Sequence, residues 1–397
     1  MRWLRALYVA NGFAVGAMYG FVPVLLQAKG FDPALVGVTT SLGSLAYTMA
    51  LPVWGHVGDE MVGPRRALQL SCIPAAIFAF GLAAPLPVLL VILSQIIFSI
   101  ASGPGLALTD AMAVPTLENP SREYTKLRWL TSFGAASSAA VCGGIYSVTG
   151  YLFAPFVYVL VIAAILGSVR FIKVGAGRTY KAPSRRNQGR GGSIGEAFRV
   201  RPRLYGILAS VVLVFIGVMS ASTYITIRLS DLGGGPLVVG VSNGIGWGAE
   251  VFGMMAAGPL IARFGARVVL FICATCFAAC IGSWGVLSDP LAIAVMRFGT
   301  GVFFAGIFVS FVLTIAAILP PHLQSTGQTL FQASCFGLGA VIGNFVGGLL
   351  YQEFGPIGVF GGAALCTFAG ALLALVVMPG QVEPEALPAI PVSPSIV

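Results

Sequence analysis

The chain has 397 residues, of which 57% are hydrophobic and 9% are charged, and its mean hydropathy is +0.93. A water-soluble globular protein carries about 25% charged residues. This composition therefore excludes a water-soluble globular protein. The formal net charge of +9 lies mostly in short loops between apolar stretches. We therefore interpret these basic residues mostly as a signal of orientation in the lipid bilayer and expect no nucleic acid as a partner.

Apolar stretches long enough to cross a bilayer recur along the whole chain. A membrane-spanning helix needs about 20 predominantly apolar residues. The stretches that meet this requirement are residues 5–28, 34–57, 67–84, 86–111, 127–149, 152–173, 204–229, 236–262, 267–286, 290–316, 325–350 and 356–378. The sequence thus predicts an all-α integral membrane protein with twelve transmembrane helices in two pseudo-symmetric six-helix bundles.

The domain organisation follows from a Gly- and Arg-rich stretch between the sixth and seventh spans, which has no apolar period until the letters IGEAF and therefore indicates a linker. The expected domains are an N-terminal six-helix bundle at 1–174, a cytoplasmic basic linker at 175–203, a C-terminal six-helix bundle at 204–380 and a disordered, Pro-rich cytoplasmic tail at 381–397. The loops GHVGDEMVGPRRAL and GPLIARFGARVVL repeat one Gly and Arg turn after the second and eighth spans. Internal repeats of this size are typical of secondary transporters, whose solute site lies between the two halves.

The distribution of Lys and Arg predicts the orientation in the membrane. The loops on the side of the N-terminus hold most of them, whereas the opposite loops hold only Lys29 and Arg228. Cytoplasmic loops retain positive charge, so we expect both termini to be cytoplasmic and the protein to be multi-pass in the cell membrane. The architecture forms its site within one chain, and a monomer is therefore expected.

The residues that would support an enzyme or a metal centre are missing from the predicted interior. Both histidines, His56 and His322, fall in loops, and we find no phosphate-binding Gly loop and no convincing pair of nucleophile and base. Cys273, Cys276 and Cys280 share one helical face but have no His or charged neighbour. We expect no enzymatic activity, no metal and no cofactor.

The candidate ionisable residues within the predicted spans are Asp110, Arg128, Glu250 and Arg297. Each costs about 2.5–3.5 kcal/mol on insertion scales, so such residues usually face the bundle interior and carry function. An arginine stays charged and can bind a carboxylate with its planar fork. These four are the first candidates for solute binding and proton coupling.

Helical spacing groups polar residues of the eighth span with one of these acids. Asn243, Trp247, Glu250 and Met254 recur at i, i+4, i+7 and i+11, which places an amide, an aromatic ring and a carboxyl on one face. This face predicts a solute cavity in which Trp247 stacks on the solute. Further candidate solute contacts in the first and seventh spans are Asn11, Tyr19 and Tyr224.

Glu250 is the predicted proton-coupling residue, with Asp110 as a second candidate. A carboxyl group in an apolar site binds a proton more readily than one in water and can load and release it near neutral pH. Counted from the outer span ends, Glu250 lies about 20 Å deep and Arg297 about 10 Å deep. The sequence therefore leaves open whether the two side chains pair.

The stretch GHVGDEMVGPRR resembles the cytoplasmic signature of the major facilitator superfamily, and the resemblance covers the whole chain. It implies the two-bundle transporter fold. It also implies a gating latch between the halves, formed by Gly55, Asp59, Arg65 and Arg66. The chain departs from the signature by one extra residue between Asp59 and Gly63 and by Ala262 where the second copy would have its acid.

Three stretches resemble the branch that contains lactose permease and the 3-phenylpropionate transporters: YGFVPVLLQAKGF, LTDAMAVPTLENPSREYTKLRWLTSFG and GWGAEVFGMMAAGPLIARFGAR. The resemblance implies that Asp110 and Arg128 hold the substrate together and that Glu250 links the substrate site to protonation. Arg297 and Thr300 stand where the branch has a His and a proton-carrying Glu, which shifts proton transfer toward Glu250. Ala135 replaces the sugar-stacking Trp, which argues against a galactoside.

These features predict a proton-coupled symporter that moves a small organic solute, such as an aromatic or other monocarboxylate, by alternating access, with Arg297 as a candidate anion anchor. Two alternatives remain open at this point. One is efflux of hydrophobic compounds or drugs by proton antiport, and the other is proton symport of a sugar or a nucleoside.

Overall fold

The computed structural model describes residues 2–113, 120–172 and 194–380 and, within these ranges, omits the side chains of 120–126, 321 and 325. Most of the linker predicted at 175–203 and the tail predicted at 381–397 lie outside the described residues. The α-helices are α1 Arg2–Met18, α2 Val22–Ala28, α3 Pro33–His56, α4 Pro64–Ala83, α5 Val88–Ser102, α6 Gly105–Ala113, α7 Pro120–Thr149, α8 Ala154–Phe171, α9 Ile194–Val200, α10 Arg203–Asp231, α11 Gly235–Phe264, α12 Ala266–Ser283, α13 Pro290–Ile318, α14 Gln324–Gln332 and α15 Ala340–Val377. The all-helical fold class is confirmed for these ranges.

Ten helical segments of the described chain are long and apolar enough to cross a membrane. Helix α7 is not among them, although it contains 30 residues. The last segment, Thr326–Val377, has 52 residues, far more than one crossing needs. Gly355 divides it, since its φ of 65° and ψ of −160° are not helical and Pro356 follows.

Two predicted spans are broken near the middle. A 3₁₀ turn at Tyr19–Phe21 separates α1 from α2, and a turn at Gly103 and Pro104 separates α5 from α6. A proline has no N–H to donate to the preceding helical turn, which accounts for the second break. Pro23 lies in the first turn of α2, the helix that follows the first break. Breaks of this kind are found where membrane helices line cavities.

The predicted internal repeat has a structural counterpart in two glycines. Gly63 precedes α4 with φ 82° and ψ 152°, and Gly265 precedes α12 with φ 83° and ψ 149°. Only glycine adopts this conformation without strain. Equivalent turns in the two halves therefore have the same backbone geometry, whereas their charged residues differ.

The two halves of the chain contact each other through glycines at the helix ends remote from the Arg-rich loops. A Cβ added to Gly240 on α11 would lie 2.3 Å from the carbonyl oxygen of Ala139 on α7. A Cβ added to Gly37 on α3 would lie 2.6 Å from the carbonyl oxygen of Asn344 on α15. Small residues allow this close approach of membrane helices, and they close one end of the interface between the halves.

Polar contacts reinforce the closed end. Asp231, the last residue of α10, accepts a hydrogen bond from Gln27 Nε2 at 2.7 Å and from the Tyr351 hydroxyl at 2.5 Å. Gln27 belongs to the N-terminal half, and the Tyr351 ring stacks on Tyr224 at 5.6 Å. Asp231 thus joins both halves at this end.

Candidate solute-binding site

A cavity of about 400 Å³ lies between the halves, lined by α10 to α13 and by the broken segment between α1 and α2. We call it the central cavity. Its polar and polar aromatic lining residues are Tyr19, Ser222, Thr223, Thr226, Asn243, Trp247, Glu250, Arg297 and Thr300. Its volume is at the lower end of the range of about 300–1,000 Å³ typical of ligand pockets.

Arg297 is the buried cation of the central cavity, with 8% of its surface exposed. Its Nη2 donates to Asn243 Oδ1 at 3.3 Å, and its guanidinium carbon lies 5.9 Å from the centre of the Trp284 ring. Gly246 permits this position, because a Cβ there would lie 3.1 Å from Arg297 Nη2. Arg297 Nε is buried and has no hydrogen-bond partner among the described residues, so the arrangement lacks an acceptor for this donor.

Glu250 faces the same cavity two helical turns from Asn243, yet no ion pair within 4.0 Å joins it to Arg297. The question that the sequence left open is thus answered for this conformation: the two groups share a cavity without direct contact. Burying a charge is costly unless it is paired or hydrogen-bonded. A carboxyl and a guanidinium that line one cavity without an ion pair within 4.0 Å are therefore both available to a bound solute.

Asn243 and Trp247 connect this charged wall to the N-terminal half. Asn243 Nδ2 donates to the Gly20 carbonyl oxygen at 3.1 Å, so the amide that orients Arg297 is also bound to the opposite half. The Trp247 ring packs on the same glycine, since a Cβ on Gly20 would lie 3.0 Å from its Cη2 atom. The structure thus brings together all four predicted residues Asn243, Trp247, Glu250 and Arg297.

Tyr19 lines the central cavity and also a second cavity of about 320 Å³ within the N-terminal half, which we call the N-terminal cavity. The Tyr19 hydroxyl donates to Ser102 Oγ at 2.5 Å, next to the break between α5 and α6. Asn11 lines the N-terminal cavity and donates to Thr109 Oγ1 at 3.1 Å. The polar lining residues of the N-terminal cavity are Asn11, Tyr19, Tyr47, Ser71, Ser102, Thr131 and Tyr158.

Asp110 and Arg128 lie together but line neither cavity. Arg128 Nη1 lies 3.4 Å from Asp110 Oδ2, and the Tyr8 hydroxyl donates to Asp110 Oδ1 at 2.6 Å. The structure therefore separates this pair from Glu250 and Arg297, with which the sequence grouped it as one site. Its part in substrate binding or proton coupling stays a prediction.

Tyr224 also lies away from both cavities, at the closed end. The residue is fully buried, and its hydroxyl lies 3.0 Å from the Asn344 carbonyl oxygen and 3.2 Å from that of Pro33. Its neighbour Thr223 lines the central cavity in its place. The Tyr224 hydroxyl, which the sequence predicted to contact the solute, thus contacts backbone oxygens of other helices in this structure.

The predicted latch residues lie around the turn that joins the end of α3 to the start of α4. Gly55 is in the last turn of α3, Asp59 is exposed in the π-helical turn Val57–Met61, and Arg66 is exposed near the start of α4. Arg65 Nη2 donates to the carbonyl oxygen of Arg170 at 2.9 Å, which ties α4 to α8. A latch between the halves stays a prediction, since these contacts lie within one half.

Sequence reasoning missed two residues that shape the site. Trp284 is fully buried beneath the guanidinium of Arg297, and Tyr158 lines the N-terminal cavity with 2% of its surface exposed. A signal for Trp284 was present, because α12 and α13 are joined by a short loop and residues on either side of it pack together. No periodic pattern singled out Tyr158. In the described part of the chain, no group of three His, Cys, Asp or Glu residues could hold a metal ion.

Residues 2–361 match the family described as MFS_1 like. The chain is 26% identical over 369 residues to the maltose permease of Geobacillus stearothermophilus, which covers 91% of each chain. It is 22% identical to the putative nucleoside transporter YegT of Escherichia coli strain K12, over 94% of this chain and 91% of that protein.

Solved structures show the same fold. The nucleoside transporter NupG superimposes with a TM-score of 0.75 at 15% identity, covering 94% of this chain and 97% of that one. A D-xylose-proton symporter superimposes with a TM-score of 0.71 at 14% identity, covering 95% and 96%. These matches confirm the prediction of a major facilitator transporter and not an enzyme. With most of its length matched, the chain belongs to the MFS_1 like family.

Proposed function

We propose that this transporter moves a small polar solute together with a proton across the cell membrane, with the solute bound in the central cavity. One observation carries the proposal: Glu250 and Arg297 face one cavity and are not joined by an ion pair within 4.0 Å. An acid that forms no direct ion pair with the neighbouring cation can take up a proton when solute binds. Ionisable residues inside membrane spans serve in proton relays and solute paths.

The solute class that this lining favours is an uncharged sugar or nucleoside. Ring hydroxyls both donate and accept hydrogen bonds, so they can bridge the Glu250 carboxyl and the Arg297 guanidinium. Trp247 offers an apolar face for the ring. The names of two relatives, a maltose permease and a putative nucleoside transporter, support the same class.

Glu250 is the proposed proton site, and Asp110 is a weaker candidate. Asp110 is held by the Arg128 guanidinium and the Tyr8 hydroxyl, and it does not line the central cavity. We assign to this pair a gating role or a role in fixing the helices. The pair also supports membership of the lactose permease branch, because it joins an acid and an arginine at the spacing that suggested this branch.

The proposed architecture has twelve crossings in two six-helix bundles, 1–174 and 204–380. Support comes from counting α7 as a crossing in addition to the ten segments and from dividing Thr326–Val377 at Gly355. An even number of crossings puts both termini on one side of the membrane, which we assign to the cytoplasm. We propose that the protein is a monomer. The closed end of the interface faces outward, and the structure corresponds to an inward-facing state of alternating access.

A transport panel tests this function. Purified protein in proteoliposomes would be loaded with unlabelled solute and assayed for counterflow of labelled maltose, glucose, uridine, ribose, benzoate and a lipophilic drug. We expect counterflow with a sugar or a nucleoside. Counterflow confined to lipophilic drugs would contradict this proposal and indicate efflux.

Transport of a monocarboxylate, aromatic or other, is a second candidate, and one observation favours it. Arg297 Nε is buried without a hydrogen-bond partner among the described residues, and a carboxylate accepts two parallel hydrogen bonds from a guanidinium. Counterflow with benzoate that is lost in Arg297→Gln, with no counterflow of sugars or nucleosides, would establish this candidate over the first.

A further inference from the structure

The N-terminal cavity has features of a binding site, although the proposed function places the solute in the central cavity. Its volume of about 320 Å³ approaches that of the central cavity, about 400 Å³. Its lining residues include hydroxyls and an amide but no charged side chain. An uncharged, hydroxyl-bearing ligand matches this lining, whereas an ion does not.

Thr131 provides a group that lacks a partner. The residue lines the N-terminal cavity, and its Oγ1 atom is buried and has no hydrogen-bond partner among the residues that the structure describes. Buried polar groups nearly always have a partner. A ligand hydroxyl in the N-terminal cavity would supply one.

The two cavities meet at Tyr19, which lines both. Tyr19 lies in the 3₁₀ turn Tyr19–Phe21, and its hydroxyl is bound to Ser102 beside the break in the next broken span. A side chain held between two helix breaks can move without disrupting a continuous helix. Tyr19 is therefore suited to separate or connect the two chambers.

The N-terminal cavity also extends toward the N-terminus. From Tyr19 its wall on α1 continues through Val15, Ala14 and Asn11, positions that share one helical face. In the proposed orientation this direction leads to the cytoplasm. The chamber thus lies on the inward side of the central cavity.

We infer that the N-terminal cavity is a second solute subsite, which holds one ring of a two-ring solute while the central cavity holds the other, with Tyr19 at the junction. This inference rests on the proposed function and specifies its substrate class as a disaccharide or a nucleoside. Tyr158 and Tyr47 are the specificity-determining residues of the subsite.

Removal of single hydroxyls tests the subsite. Tyr158→Phe and Tyr47→Phe each delete the hydroxyl of a residue that lines the N-terminal cavity and keep the aromatic ring. Dissociation constants would be measured on full-length protein in lipid nanodiscs for maltose and uridine and for their one-ring parts, glucose and ribose. Loss of one hydrogen bond predicts about a fivefold to tenfold higher Kd for the two-ring solutes in Tyr158→Phe, with the one-ring values within twofold of wild type.

Tyr146→Phe is the matched control. Tyr146 is a fully buried tyrosine of the same half that lines neither cavity, and its hydroxyl donates to the Ala17 carbonyl oxygen at 2.8 Å. It should leave all four dissociation constants unchanged. Equal loss for one-ring and two-ring solutes, or no loss in either test variant, would overturn the subsite while leaving the transport function standing. Wild-type protein that binds none of the four solutes would instead overturn the proposed function and the subsite with it.

Discussion

At the scale of single residues, the central cavity is organised around an arginine whose contacts leave one donor unused. Asn243 and the Trp284 ring contact the guanidinium of Arg297, while its Nε has no hydrogen-bond partner in the part of the chain that the structure describes. A rigid planar fork in a buried wall is suited to bind solute oxygens, and a lysine cannot reproduce that geometry.

Arg297→Lys should therefore weaken solute binding while retaining the charge. We expect about a tenfold rise in Kd, the magnitude of one lost hydrogen bond to a charged group. Binding isotherms in nanodiscs measure it, with Arg267→Lys in the first turn of α12 as a control for the general effect of the exchange. An unchanged Kd would mean that Arg297 serves only to pack the helices.

The sequence predicted part of this site because helical spacing is a local property. It placed Asn243, Trp247 and Glu250 on one face, and the structure confirms that they share a cavity. It failed to separate Tyr224 from them, because spacing along α10 does not reveal which face of that helix meets Pro33 and Asn344. Contacts between helices decide that, and they depend on the whole fold.

At the scale of helices, close glycine contacts hold one end of the interface shut. On α11, a side chain at Gly240 would collide with the backbone of α7, since its Cβ would lie 2.3 Å from the Ala139 carbonyl oxygen. Toward the other end of the same helix, a Cβ on Gly258 would meet no atom within 4 Å. The two glycines thus offer a matched pair of sites on one helix.

Gly240→Leu should force α7 and α11 apart and favour opening of the closed end. The expected result is faster labelling of a cysteine introduced at Ser242, on the buried face beside Gly240, by a membrane-impermeant maleimide from the outside. Gly258→Leu should leave labelling at the wild-type rate. If both variants label alike, the glycine contact does not control opening.

The helix breaks show why element boundaries were only partly predictable. Pro104 marks one break in the sequence, and the structure places a turn there. The break at Tyr19–Phe21 carries no proline of its own, and the extension of α7 to Pro120 crosses polar residues that hydropathy excluded from the fifth span. Hydropathy reports which residues lipid tolerates, whereas backbone hydrogen bonds decide where a helix ends.

At the scale of the whole molecule, the two halves carry unequal chemistry on a similar frame. The glycines before α4 and α12 have nearly identical backbone angles, but the charged wall of the central cavity comes from the C-terminal half alone. The uncharged N-terminal cavity lies in the other half. An asymmetric site of this kind can bind a proton in the C-terminal half and solute rings in both halves.

Uptake should depend on the proton gradient across the membrane. We expect wild-type proteoliposomes to accumulate solute when the side of solute entry is made more acidic, and to equilibrate without accumulation when the pH is equal on both sides. Labelled solute uptake under imposed pH gradients measures this. Accumulation that is greatest with the opposite gradient would indicate antiport.

The most direct measurement is solute-induced proton movement in proteoliposomes with wild type and Glu250→Gln side by side. We expect wild-type protein to move protons when maltose or uridine is added. Glu250→Gln should move none, while still exchanging labelled for unlabelled solute. Proton movement that persists in Glu250→Gln at the wild-type rate would contradict the assignment of the coupling proton to Glu250.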